Sequence, residues 1–274
     1  MTPSRRSYRT TLAGLALLLT AGVEIASAAQ AQQDPPTLPQ AVPARTQAQF
    51  GMEMHSLSNG YGSWRDVSLE ISRESGPRRI WTAGIHEVTR FSTRDDVLVG
   101  GYSQRVVTKM NAFFEGQGSP SHRVLPQVAV AAKIDGTVAR GVVLSTGISH
   151  RRYDAGSADL FSAGAEWYTG RLRLSYTGYA GRIQRSGLSF SHAARVDRMY
   201  GVREENLIGL SVARGEELEQ DVRAGLLTSR VRAVSLIGRY WLTSAVGVSY
   251  ALGAHEQGSR YTRRGGHAAI VYRF

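Results

Sequence analysis

Three features of the sequence predict an all-β fold: a closed antiparallel transmembrane β-barrel of about fourteen strands, with twelve as the alternative count. Apolar residues recur at every second position along most of the chain, as in Val67, Leu69 and Ile71. The positions between them hold Gly, Ser, Ala and Thr with interspersed Arg and Glu, rather than the lysines and glutamates of a water-facing sheet. The breaks between alternating segments are short and long in turn. Successive side chains of a strand point to opposite faces, so one face is set against lipid and the other against a polar lumen.

At the amino end, Arg5, Arg6 and Arg9 precede an uncharged apolar run from Leu12 to Val23, and Ala26-Ser-Ala28 supplies small residues for a cut. These are the three parts of a secretory signal peptide, expected over residues 1–28, with the cut as late as 31 as a second option. The run is shorter than the ~20 residues of a spanning helix. Residues 29–48 are rich in proline and glutamine and read as a flexible periplasmic linker.

The barrel is expected over residues 49–274. Phe50, Met52 and Met54 alternate with Gly51, Glu53 and His55; Phe161, Ala163, Ala165 and Trp167 alternate with Ser162, Gly164 and Glu166. Such segments centre on residues 50–57, 64–73, 79–90, 96–103, 106–115, 125–134, 138–149, 159–168, 171–182, 187–198, 206–213, 229–241, 245–255 and 265–274. Each is near the ~9–11 residues with which a tilted strand crosses a bilayer. Short breaks at Ser75-Gly-Pro77, Asp135-Gly-Thr137, Tyr168-Thr-Gly170 and Leu242-Thr-Ser244 interleave with longer ones. The longer set is Asn59 to Gly62, Glu115 to Pro126, His150 to Ala158, Gly215 to Gly225 and Glu256 to Gly265. With both chain ends in the periplasm, the long set falls outside. The tightest join lies between Tyr102 and Thr108, and merging strands there and at one other break gives twelve. The last stretch, Ala268-x-Ile270-x-Tyr272-x-Phe274, has one apolar face ending on an aromatic. Alone it suits a soluble edge and a membrane closure equally; in a barrel it pairs with the strand near Phe50.

The chain has 274 residues, no cysteine and a formal charge of +11, with Lys109 and Lys133 its only lysines. The lack of cysteine excludes a disulfide framework and thiolate metal sites. No apolar run of ~18 residues follows the leader, which excludes helical spans from the mature chain. Strong basic charge also marks nucleic-acid binders, but an exported chain does not meet nucleic acid.

Candidate chemistry is sparse. His122 lies beside Ser119 and Ser121 with Glu115 upstream, and His192 lies beside Ser191 with Asp197 downstream. Adjacent strand residues face opposite sides, so Ser191 and His192 do not pair within one strand. Gly118-Ser-Pro-Ser-His122 reads as turn chemistry, with Gly and Pro setting the backbone and the serines bonding to it. No catalytic residue is assigned, and an acyl hydrolase or transferase of membrane lipid is the weaker alternative. The histidines show no ligand-pair spacing, and neither metal nor cofactor is expected. Glu216, Glu217, Glu219 and Asp221 read as a solvated outer loop balanced by Arg214 and Arg223, or as a divalent-cation site. Parity places Arg171, Arg173, Arg195, Arg239 and Arg273 on the lumen face with Glu53, Glu70 and Glu166. Two readings stand: a lumen plugged by Arg–carboxylate pairs, and an arginine-lined passage for an anionic sugar polymer or small anion.

Asn59-Gly-Tyr-Gly-Ser-Trp-Arg-Asp66, Gly118-Ser-Pro-Ser-His-Arg-Val-Leu-Pro126, Leu226-Leu-Thr-Ser-Arg230, Gly238-Arg-Tyr-Trp-Leu242 and Tyr261-Thr-Arg-Arg-Gly265 occur in order along the chain. Together they resemble the YaiO-type outer-membrane β-barrel family from about Phe50 to Phe274. The resemblance implies an outer-membrane barrel without an agreed activity, whose relatives often lie near machinery for surface polysaccharide. It leads us to expect outer-membrane lipid and lipopolysaccharide around the barrel, and an anionic polysaccharide or polysaccharide-export protein as a partner. Similar barrels also imply that Ile270, Tyr272 and Phe274 form the end recognised by the barrel-insertion machinery.

Overall fold

The computed structural model describes residues 46–75, 79–183, 188–201, 205–221 and 225–274. The expected signal peptide and most of the linker lie outside these residues. Fourteen strands follow one another: β1 Thr46–Leu57, β2 Trp64–Glu74, β3 Arg79–Arg90, β4 Thr93–Val107, β5 Met110–Gly118, β6 Val128–Ala139 and β7 Val142–Tyr153 make the first half. The second half is β8 Gly156–Thr169, β9 Leu172–Ile183, β10 Leu188–Tyr200, β11 Asn206–Asp221, β12 Gly225–Trp241, β13 Val246–Gln257 and β14 Tyr261–Arg273. Each pairs antiparallel with its sequence neighbours, and β1 with β14 closes the ring.

Closure runs through the stretch expected to make it. Phe50 stands opposite Ile270 and Met52 opposite Ala268, and the Phe274 N–H donates to the Thr46 carbonyl at 2.9 Å. Ring closure leaves no unpaired strand edge, which is what allows a sheet to sit in lipid.

Parity sorts every strand into an outer and an inner face. Outward positions carry large exposed apolar side chains all round the wall, among them Phe50, Leu98, Ile148, Phe161 and Ile270, each more than half exposed. In water such a belt would aggregate; against hydrocarbon it is the favourable surface. Inward positions carry the buried polar residues, including Asp66, Glu70, His86, Glu115, Arg173 and Asp197.

The structure shifts several expected boundaries. The join after Tyr102 holds two strands, not one: β4 runs on to Val107 through a register shift between Arg105 and Val107, and Thr108–Lys109 makes the turn to β5. The expected break at Asp135-Gly-Thr137 lies inside β6, which turns later at Arg140–Gly141. Gly141 has φ 73°, and a Cβ there would sit 2.5 Å from the Tyr168 carbonyl oxygen, so this tight turn requires glycine. Most of the expected long loops are strand. Glu216, Glu217, Glu219 and Asp221 belong to β11, which pairs with β12 as far as Asp221 and Gly225. The acidic stretch is therefore not a loop; Arg223 lies outside the described residues.

The rim carrying the turns after β4, β6, β8 and β12 also carries both ends of the barrel chain. We call it the near rim and the opposite one the far rim. With short turns periplasmic, as expected from the sequence, the far rim is the outward one.

Candidate functional site

The lumen is built in three levels. At the near rim Asp197 on β10 is fully buried and collects two guanidinium groups. Arg173 of β9 approaches to 2.6 Å through Nη2 and 2.8 Å through Nε, and Arg195 donates Nε–H to Oδ1 at 2.7 Å. The register allows this. Arg173 is the cross-strand neighbour of Asp197 on β9, and Gly209 is its neighbour on β11. A Cβ at Gly209 would overlap the Asp197 carboxylate, so the glycine makes room for the charge cluster. Glu166 accepts from the Tyr168 hydroxyl at 2.6 Å and lies 3.9 Å from Arg173.

A second near-rim group forms further round the same rim, centred on Glu205 just before β11. Arg239 donates Nε–H and Nη2–H to the Glu205 carbonyl at 3.1 and 2.9 Å. Arg273 reaches the Glu205 carboxylate at 3.3 Å and lies over the Trp241 ring at 3.4 Å from its centroid. Arg171, the remaining expected lumen arginine, is exposed in the turn between β8 and β9 rather than on the lumen wall.

At the far rim, residues 119–127 between β5 and β6 fold into the barrel mouth. Val124 and Leu125 pack with Val88, Val97, Tyr153 and Ala158, inward residues of β3, β4, β7 and β8. The loop is tied down by Asp95, also fully buried, which accepts the backbone N–H groups of Arg123, Val124 and Leu125 at 2.8–3.0 Å. Next to it, Trp64 packs edge-on against Phe91 and between Arg90 and Arg263, 4.4 and 4.6 Å from its ring centroid.

Between these levels lies a cavity of about 190 Å³. Thr82, Ser103, Ser145, Ser149, Ser162, Ser175 and Thr177 give it a hydroxyl-lined wall, with Gly101 and Gly147 among them. Glu115 and Arg151 line the same space and are both more than nine-tenths buried. Neither carboxylate oxygen of Glu115 has a hydrogen-bond partner, and Arg151 is in no ion pair among the described residues. On β1 to β3, Glu53 meets His55 at 2.6 Å, and His86 stands 3.3 Å from both Asp66 and Glu70.

The remaining sequence candidates separate. Ser121 Oγ accepts the Asp96 N–H at 3.0 Å; His122 turns Nδ1 to the carbonyls of Ser119 and Pro120 and Nε2 to Asp154 at 3.3 Å. This is the turn chemistry expected of the segment, and it joins no serine hydroxyl to the imidazole. Ser191 points inward and His192 outward. In the acidic stretch, Glu216 faces outward while Glu217 is buried against His255 at 3.0 Å, so those two do not converge on one ion. The side chains of Glu219 and Asp221 are outside the described residues. Ile270, Tyr272 and Phe274 form an exposed outer stripe at the near rim, with the two rings edge-to-face at 4.8 Å. Asp197 lies inside the expected segment 187–198, where inward parity marks it; Asp95 and Arg151 lie just beyond the expected segments 96–103 and 138–149, and become inward residues because β4 begins at Thr93 and β7 runs on to Tyr153.

A closed antiparallel ring with a lipid-facing apolar belt and a polar lumen defines an integral β-barrel membrane protein. The chain belongs to the YaiO membrane β-barrel domain family, whose profile matches residues 45–220, and it is accordingly an outer-membrane barrel. Solved structures of the same fold include a bacterial polysaccharide outer membrane secretin, with 9% identity over 84% of this chain and 98% of that chain and a TM-score of 0.52. The CymD monoaromatic hydrocarbon channel matches with 8% identity over 85% of this chain and 88% of that chain, also at 0.52. At these identities the likeness concerns the fold alone. No curated protein sequence matches the chain significantly.

Proposed function

We propose that the protein is a porin-like conduit for polyhydroxylated solutes, in the first instance saccharides of the cell surface. The observation that carries this reading is the lumen cavity in which Glu115 and Arg151 face a wall of serine and threonine hydroxyls. A buried carboxylate without a partner is costly unless something supplies donors. Sugar hydroxyls both donate and accept, so one sugar unit can satisfy Glu115, Arg151 and the hydroxyl wall together. The arginines Arg173 and Arg195 are committed to Asp197, so selection rests on the cavity and not on a ring of free positive charge. No catalytic step forms part of the proposal.

The second reading, a barrel with a filled lumen and a structural or adhesive role, is favoured by the Arg173–Asp197–Arg195 cluster and the inward-folded loop. Conductance separates the two. In planar bilayers the wild-type barrel gives discrete conductance steps, and it admits small sugars in liposome swelling. Ser162→Phe, which fills the cavity from β8, reduces both several-fold while the protein stays heat-modifiable. No conductance and no swelling from folded wild type would establish the filled barrel instead.

We also assign Phe274 to recognition by the insertion machinery. It is the most exposed apolar residue of the closing stripe, at 72%. Deleting it leaves the lumen untouched and lowers the amount of heat-modifiable protein in the outer membrane. An undiminished heat-modifiable band from the truncated chain removes that role.

A further inference from the structure

The outer wall at the far rim carries a site that the lumen does not explain. Travelling up β10 to β13, the outward apolar belt ends in one cross-strand row: His192, Arg214, Arg232 and Glu256. Two residues further up β11 and β12, Glu216 stands opposite Arg230. Beyond His192 the outward face of β10 becomes apolar again, with Phe190 and Leu188 62% and 65% exposed. All of these side chains except His192 line one outward groove of about 630 Å³. Arg214, Arg230 and Arg232 take part in no ion pair among the described residues, although Glu216 and Glu256 are their cross-strand neighbours.

Physical chemistry gives this arrangement one natural occupant. The row sits where hydrocarbon gives way to headgroups of the outward leaflet, and three guanidinium forks on adjacent strands match phosphate oxygens bidentately. The two tiers are separated by two residues, about 6.6 Å along a strand, which suits a headgroup larger than one phosphate. Phe190 and Leu188, above the belt, need apolar cover that water does not provide. A phosphorylated glycolipid supplies both, phosphate against the arginines and sugar faces or acyl chain against Phe190 and Leu188.

We propose that the groove over β10–β13 is a binding site for a phosphorylated glycolipid of the outer leaflet, lipid A being the probe. The site does not depend on whether the lumen conducts, and its test does not read conductance. Folded protein is reconstituted in phosphatidylethanolamine and phosphatidylglycerol vesicles with or without diphosphorylated lipid A. It is then extracted in mild detergent and weighed by native mass spectrometry. Wild type retains lipid A; the Arg214→Gln, Arg230→Gln, Arg232→Gln triple variant retains about tenfold less, as expected for lost charge-assisted contacts. Arg73→Gln with Arg79→Gln, outward arginines at the near rim, leaves retention unchanged. Should the triple variant not fold, Arg230→Gln alone, beyond the apolar belt, gives the same direction. Equal retention by wild type and either groove variant overturns the site. So does equal retention of dephosphorylated lipid A or of phosphatidylglycerol, which would show apolar or unspecific anionic adsorption only.

Discussion

Replacing Asp197 by Ala unfolds the barrel at lower denaturant, with an expected loss of about 3–5 kcal/mol. Asp197 is fully buried and lies within hydrogen-bond distance of both Arg173 and Arg195. Removing it leaves two guanidinium groups in the low-dielectric wall with their shared counter-charge gone, and like charges then face one another. Asp197→Asn keeps the shape and one acceptor and falls between. The triple change Asp197→Leu, Arg173→Leu, Arg195→Met recovers much of the stability, because an apolar cluster avoids the desolvation cost of three ions. Urea unfolding in lipid vesicles, followed by tryptophan fluorescence and heat-modifiability, measures the series. A wild-type-like midpoint for Asp197→Ala would show that Asp197 does not hold the cluster.

Replacing Asp95 by Ala releases the inward-folded loop. Each N–H bond to a carboxylate contributes about 1.5–3 kcal/mol, and Asp95 accepts three from consecutive residues. The strands that carry Asp95 are held by their own ladders, so the effect is confined to residues 119–127. Arg123 becomes a trypsin site in intact vesicles, and single-channel conductance rises as the far mouth clears. Asp95→Asn retains part of the anchoring and shows a smaller rise. Unchanged cleavage and unchanged conductance for Asp95→Ala would mean that Val124 and Leu125 hold the loop by packing alone.

Much of the architecture was legible because lipid on one side and water on the other impose a period of two. Phe50, Met52 and Met54 opposite the face of Gly51, Glu53 and His55 is enough to orient β1, and the same parity puts Ile270 on the outer face of β14, where the closing pair sets it beside Phe50. Boundaries failed where that contrast stops. Above Val212 the outward residues are Arg214 and Glu216, so hydropathy no longer alternates; backbone pairing of β11 with β12 nevertheless continues to Asp221, because hydrogen bonding does not need an apolar face. The loop at 119–127 carried a hint in Val124-Leu-Pro126, three residues too apolar for a solvated connection. Only the fold shows what they cover.

The candidate site was half legible. Parity put Arg173, Arg195, Glu70 and Glu166 inward, and they are inward. Parity says nothing about register between strands, and register decides which inward charge meets which. Asp197 neutralises Arg173 because β9 and β10 align those two residues and Gly209 yields space on β11. Glu115 and Arg151, on β5 and β7, come to one cavity only when the wall curves. The sequence by itself determined a closing barrel, its two faces and the polarity of each, since these follow from local alternation and from the cost of bare backbone in lipid. Tertiary structure alone decided which charges are tied and which stand open to a solute, because that depends on the stagger of neighbouring strands, a property of no single segment.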